Sequence, residues 1–204
     1  NLFGHVIPGA FGHGYIELSH FLDVSIFTTD GLFGVPLRVA GTYAFLFVLF
    51  GSALERCRGS EFFFDLASAL TGKSAGGPAK IAVISSGLYG TISGSPTSDV
   101  ATTGAITIPI MKRLGYRPSF AGAVEVAAST GGSLLPPVMG AAAFIMAEYT
   151  GIPYRDIALA AIIPAILFYL PIYLQVHLRA VKTGLQGLRP DEIPNLFTTL
   201  LNGW

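Results

Sequence analysis

The stretch GTISGSPTSDVATTG (residues 90–104) interrupts an otherwise apolar run, and its reading decides the fold. A second stretch of the same kind, TGGSLLPP, covers residues 130–137. Apolar flanks point to a bilayer, where backbone polar groups must find partners inside the protein. Glycine, proline and hydroxyl residues break a helix there and free carbonyl and N–H groups at membrane depth. Such breaks are tolerated where the freed groups line a cavity or hold a solute.

The composition supports that setting. Of 204 residues, 51% are hydrophobic and only 12% charged, against about 25% charged in a soluble domain. Mean hydropathy is +0.61, and the 25 glycines fit membrane helices, where Gly is commoner. An all-α polytopic membrane protein is expected. Net charge is zero and no basic run suggests nucleic acid. Cys57 is the single cysteine, so an internal disulfide is excluded. The start shows neither Met nor a signal-peptide pattern, and the chain reads as a piece of a longer protein.

Spans follow from length. Residues 1–36, rich in Gly, His and Pro, read as an extramembrane loop with one short helix, and His5, His13 and His20 are expected to be solvated or capping. Residues 37–54 are a spanning helix. Residues 60–72 carry Phe62, Phe63, Leu66, Ala69 and Leu70 on one stripe and Glu61, Asp65 and Ser68 opposite it. That is an amphipathic helix too short to cross, lying along the interface. The apolar legs 78–92 and 99–111 each reach roughly 20–23 Å, short of a hydrocarbon core about 30 Å thick. They predict a re-entrant hairpin over 78–111, with two short tilted spans as the alternative. Residues 118–149 make one crossing with an unwound centre, from legs 118–129 and 138–149. Residues 155–178 form a last span, kinked at Pro164 and Pro171. Residues 179–204 are a loop and the start of a further segment. In this topology all of the 12 Lys and Arg residues except Arg38 and Arg155 fall on one side. That side is expected to be cytoplasmic and the N-terminal loop periplasmic.

The breaks carry the chemistry. Thr91, Ser93, Ser95, Thr97, Ser98, Thr102 and Thr103 put far too many hydroxyls into one stretch for a lipid-facing run. Hydroxyl and carbonyl oxygens suit a hard cation. Carbonyls near residues 91–94 lie at the negative end of the first leg and suit a monovalent cation. Thr97 or Ser98 can cap the second leg, whose positive end suits an anionic group. In the second stretch Gly131 and Gly132 permit close approach, and Pro136 and Pro137 are expected to restart a helix. The alternative for both stretches is a kink with locally satisfied polar groups. Asp99 and Glu125 are ionisable at membrane depth and hence functional candidates. Asp99 reads equally as a helix cap or an ion ligand, and Glu125 equally as a functional group or an interhelical hydrogen bond. No G-x-S-x-G frame surrounds Ser93 or Ser133, no Cys/His cluster suggests zinc, and no Walker loop suggests ATP. Neither an enzyme nor an organic cofactor is expected.

The I-S-G-S motif at the first stretch, the I-P-x-M-K-x-x-G-Y sequence ending the second leg, and the G-G-x-x-x-P-P break occur together. Over about residues 36–188 the chain resembles the large membrane subunit of tripartite ATP-independent periplasmic (TRAP) transporters, most nearly the fused permeases that work with TAXI-type binding proteins. The resemblance implies a sodium-driven secondary transporter of the bacterial inner membrane. It would take up small organic acids from a periplasmic substrate-binding protein, alongside small-subunit helices, separate or fused into the same chain. It implies an elevator fold of two inverted repeats, each with a re-entrant hairpin and a discontinuous helix, of which this chain holds the first. By that resemblance sodium would lie at Ser93, Gly94, Ser95, Gly131, Gly132 and Ser133. Substrate would lie beside them, at Thr97, Ser98, Asp99, Thr102, Pro136 and Pro137. Pro96 departs from the pattern, since a small or hydroxyl residue is expected there, and it removes one N–H from the tip. One repeat alone is not expected to transport. The rival readings are another sodium-coupled carboxylate transporter of the same plan, a channel or pore subunit, and an intramembrane hydrolase.

Overall fold

The computed structural model describes residues 4–6, 8–9 and 12–202. Parts of the expected N-terminal loop and of the final segment lie outside the described residues. The described residues are helical, with no strand among them, and fall into two compact units, one up to Phe45 and one from Leu46 onward. In the first unit, α1 (Leu18–Leu22) passes directly into a π turn, Asp23–Phe27, and α2 (Val35–Val39) into a second, Ala40–Ala44. Pro36 sits in the first turn of α2, where a missing N–H costs nothing. With α3 (Phe45–Arg56) the backbone continues as a single apolar helix, Val35–Arg56, of 22 residues, or about 33 Å.

The second helix long enough to cross a bilayer is α9 (Tyr154–Thr183), with 30 residues and a length of about 45 Å. Pro164 and Pro171 lie inside it without ending it. Gly184, at φ 68°, stops it, in the left-handed conformation that favours glycine. Leu46, Leu49 and Phe50 on α3 and Ile163, Leu167 and Leu178 on α9 are all exposed. Apolar side chains left uncovered along whole helices are what a lipid-facing surface requires.

Helix α4 (Gly59–Thr71) packs on α5 (Gly77–Ser93). Its inner face is Ala67 and Ser68, 0% and 1% exposed, with Phe64 beside them, while Leu70 is 57% exposed. Ser68 therefore does not lie on a solvated polar side as its position on the helical wheel suggested. Small side chains let α4 approach α5; of the expected apolar stripe, Leu70 is exposed and Phe62, Phe63, Leu66 and Ala69 are half-buried.

Helices α5 and α6 (Pro96–Arg113) form a hairpin joined only by Gly94 and Ser95. The interruption expected across residues 90–104 contracts to this tip. The hydroxyl residues on either side stay helical, and two of them bond back to the preceding turn. Thr91 Oγ1 donates to Leu88 O at 2.6 Å and Thr103 Oγ1 to Asp99 O at 2.7 Å, a local arrangement open to Ser and Thr. Gly94 ends α5 at φ 58°. Ser95, rather than Thr97 or Ser98, occupies the N-cap of α6, and its side chain makes no capping bond. Pro96 sits in the first turn, where the N–H it lacks would have no helical partner. The departure from the family pattern is thus accommodated by the backbone.

Helix α7 (Pro118–Thr130) runs into a 3-10 turn, Gly131–Leu134, then a non-helical turn over residues 136–138, and α8 (Ala141–Thr150) follows. Pro136 and Pro137 do not restart the helix; α8 begins at Ala141. The intervening backbone is held by tertiary bonds that a helix would have consumed. Val138 N–H donates to Thr91 O at 3.1 Å and Gly140 N–H to Ser133 O at 2.9 Å. The Tyr154 hydroxyl lies 2.9 Å from Pro137 O and also reaches Val138 O.

The core lies where α5, α6, α7 and α9 meet, around Ala82, Val83, Met111, Val124, Ala128 and Val176. The chain after α9 returns beneath it. Leu188 N–H donates to Gly72 O at 2.9 Å, Glu192 of the 3-10 turn Pro190–Glu192 pairs with Arg113 at 3.0 Å, and α10 (Leu196–Asn202) packs on α4.

Candidate functional site

The two interruptions meet at a pair of glycines. A methyl group built on Gly132 would lie 2.8 Å from Gly90 Cα and 2.8 Å from Asp99 Oδ2, and one built on Gly90 would collide with Gly132 Cα. Neither position has room for a side chain, so α5 and the 3-10 turn touch backbone to backbone. Gly131 faces the other way: a methyl there would lie 2.6 Å from the rings of Phe168 and Tyr169. Tyr169 also donates its hydroxyl to Ala128 O at 2.7 Å, which ties α9 to the end of α7 just before the turn. The close approach that these two glycines permit is thus made against two different neighbours.

Asp99 sits at the centre of this junction. It is 0% exposed, in the first turn of α6, where the positive end of the helix favours negative charge. Its N–H donates to Ser95 O at 3.0 Å. Its Oδ1 accepts the Ser93 hydroxyl, and Ser93 Oγ in turn accepts Ser95 N–H at 3.2 Å. Its Oδ2 is buried with no hydrogen-bond partner among the described residues, and it faces Gly90 and Gly132. A buried carboxylate with an unused oxygen is costly unless a proton or a cation reaches it. Ser93, Ser95, Gly90 and Gly132 are thereby brought around one acidic group, whereas Gly94 packs against Met139 and Gly131 against Phe168 and Tyr169.

The other proposed residues are placed less tightly. The Ser133 hydroxyl donates to Thr130 O at 3.0 Å, within its own turn. Thr97 is exposed. Ser98 lines a crevice of about 130 Å³ beside the tip, together with Ser52, Glu55, Tyr89, Ser93 and Ser95. Thr102 Oγ1 donates to Glu55 Oε1 at 3.3 Å across the same region. Pro136 and Pro137 lie in the turn between the 3-10 turn and α8, and Thr91 O, expected to be free for a cation, accepts Val138 N–H. A larger cavity of about 370 Å³ between α5 and α9, bounded by Val83, Leu88, Leu135, Ile166 and Tyr169, is too apolar to recognise an acid.

Glu125 on α7 resolves as a structural group. It is 0% exposed, and hydroxyls from three helices surround it. Ser86 Oγ of α5 donates to Oε1 at 2.7 Å, Thr103 Oγ1 lies 2.5 Å from the same oxygen, and Thr107 Oγ1 donates to Oε2 at 2.5 Å. Ser129 Oγ adds a longer contact at 3.5 Å. These bonds hold both hairpin legs to α7, immediately below the junction at Asp99. Ser86 and Thr107 were not singled out from sequence, and Thr103 was read there as one of the hydroxyls of the first break. The four-residue spacing of Asp99, Thr103 and Thr107, which puts them on one face of a helix, was the available signal.

Comparison with known proteins identifies the family. The family model described as the tripartite ATP-independent periplasmic transporter, DctM component, matches residues 11–204. The C4-dicarboxylate TRAP transporter large permease protein DctM of Pseudomonas aeruginosa is 28% identical over 93% of this chain and 44% of its own length. The sialic acid TRAP transporter large permease protein SiaM of Vibrio cholerae is 27% identical over 70% of this chain and 33% of its own. An uncharacterised Salmonella typhimurium protein, YgiK, is 31% identical over 59% of this chain and 28% of its own. The chain thus spans less than half the length of these relatives. The match over nearly all of its residues shows that it belongs to the DctM family, the large membrane subunits of TRAP transporters.

Proposed function

We propose that the chain forms one half of the solute site of a sodium-coupled, binding-protein-dependent permease for small organic acids, and that Asp99 is its cation ligand. The observation that carries this reading is the free Asp99 oxygen at the junction of the two broken helices. A carboxylate there attracts a cation and repels an acid. Asp99 is accordingly assigned to the ion, together with Ser93, Gly94, Ser95, Gly131, Gly132 and Ser133. The acid would lie on the outer side of the tip, toward Thr97, Ser98, Thr102, Pro136 and Pro137. Two of the relatives are named for acids, a C4-dicarboxylate and sialic acid, which supports the substrate class.

On this reading α5 and α6 dip into the bilayer and return to the cytoplasmic side, α4 lies along the interface, and an inverted second repeat elsewhere in the protein completes the site. The hairpin and the broken helix then move as a rigid unit, because the Glu125 hydroxyl cluster joins them. A periplasmic binding protein delivers the acid, and small-subunit helices, fused or separate, brace the moving part in the inner membrane.

The test uses sodium alone. The full-length protein in nanodiscs is unfolded thermally in sodium chloride and in choline chloride of equal ionic strength. Sodium should stabilise it by mass action on the folded state, and Asp99→Asn should remove the difference. Equal midpoints in the two salts, or a sodium effect that survives Asp99→Asn, would overturn the assignment.

A further inference from the structure

At the opposite end of α7 from the junction, the loop between α6 and α7 and the last turns of α9 enclose a cavity of about 130 Å³. Arg117 and Arg179 both line it, from different elements. Arg179 lays its guanidinium over the Phe120 ring, 5.6 Å from the centroid. Phe120 is stacked on Tyr116, with centroids 6.0 Å apart and planes within 8°, and Tyr116 is only 4% exposed. A guanidinium held face-on by an aromatic ring keeps its N–H edge available, and that edge matches two oxygens of a phosphate.

Neither arginine has an acidic partner among the described residues, whereas neighbouring Arg113 is paired with Glu192. Thr183, which also lines the cavity, donates its hydroxyl to Arg179 O at 2.7 Å. The cavity also sits at the right depth. Arg179 directly follows the exposed Leu178 and precedes Lys182 near the end of a helix long enough to cross the bilayer, as expected at a headgroup boundary. Basic pockets between helices on the cytoplasmic side are typical places for anionic headgroups.

We propose that Arg117 and Arg179 form a phosphate-binding site, occupied by the headgroup of an anionic phospholipid. The site requires the membrane placement of α9 and is independent of the sodium assignment at Asp99. Phosphate chemistry is shared by lipid headgroups and free phosphate, so the experiment separates the two sources. The full-length protein is extracted from mixed phosphatidylglycerol and phosphatidylcholine nanodiscs, and retained lipid is counted by native mass spectrometry, with and without inorganic phosphate. A parallel arm adds inorganic phosphate to protein in phosphatidylcholine alone.

Retention of phosphatidylglycerol over phosphatidylcholine is expected. Arg117→Gln with Arg179→Gln should reduce that preference roughly thirtyfold, at about one basic-residue contribution each. Arg117→Gln alone, at an exposed position that leaves the aromatic stack intact, should reduce it roughly fivefold. The double Lys variant should keep part of the preference, and Arg113→Gln should not change it. Binding of inorganic phosphate in place of lipid, lost in the Gln variants, would keep the anion site and reassign its source. Equal retention of both lipids without phosphate binding, or a preference that survives Arg117→Gln and the double Gln variant, would overturn the site.

Discussion

The Cα of Gly90 and the backbone of Gly132 meet so closely that a methyl group on Gly132 would stand 2.8 Å from Gly90 Cα. This contact turns two separate helix interruptions into one junction, and Asp99 Oδ2 faces it. Gly132→Ala should therefore separate the hairpin from the 3-10 turn, at a cost of about 1–3 kcal/mol for overpacking, and abolish the sodium-dependent stabilisation. Gly122→Ala, in the preceding helix α7 and with nothing within 4 Å of its Cβ position, should leave the protein equally or slightly more stable. Thermal unfolding of both variants in nanodiscs checks the pair, and a tolerated Gly132→Ala would refute the close junction.

Ser93 supplies the hydrogen bond to Asp99 Oδ1 and also receives Ser95 N–H. Ser93→Ala removes both links at the tip. Its sodium dependence should weaken without vanishing, because Asp99 remains, whereas Ser133→Ala should do less, since that hydroxyl is engaged with Thr130 O. Titration of the unfolding midpoint with sodium ranks the three variants, and the expected order of loss is Asp99→Asn, then Ser93→Ala, then Ser133→Ala. An effect of Ser133→Ala equal to that of Asp99→Asn would contradict the geometry.

Glu125 predicts stability rather than ion coupling. Glu125→Ala strips the acceptor from hydroxyls on α5, α6 and α7 and leaves a cavity, so a loss of about 3 kcal/mol or more is expected. Glu125→Gln keeps the shape and one acceptor and should cost about 1 kcal/mol. The sodium-induced shift should survive in Glu125→Gln. Its complete loss there, in a protein that still unfolds cooperatively, would move Glu125 into the ion site.

Gly94 and Gly151 test the tip. Both end helices at positive φ, 58° and 69°, so alanine costs roughly 1–2 kcal/mol of backbone strain at either. Only at Gly94 would the new methyl also strike a neighbour, the Met139 carbonyl; nothing lies within 4 Å at Gly151. Gly94→Ala should be the more damaging by calorimetry or denaturant unfolding, and equal losses would mean the tip does not rest on the 135–140 stretch.

Composition and local pattern alone determined a good deal. Low charge and long apolar runs required a helical membrane protein, because only internally bonded backbone survives in lipid. Glycine, proline and hydroxyl residues marked the two interruptions, and the paired glycines at 131 and 132 signalled close packing. How far each interruption extends was decided by tertiary structure. Thr91 and Thr103 remain helical, with their hydroxyls bonded to carbonyls one turn back, and the first break shrinks to Gly94 and Ser95. Pro136 and Pro137 form a turn instead of starting a helix, and Val138 N–H is taken by Thr91 O on another helix. The fates of the two buried acids were likewise open in one dimension. Glu125 is satisfied by hydroxyls from three helices, whereas one oxygen of Asp99 meets no donor among the described residues. Local spacing specifies which face of a helix a carboxylate occupies; only the packing of other helices specifies how many donors it meets.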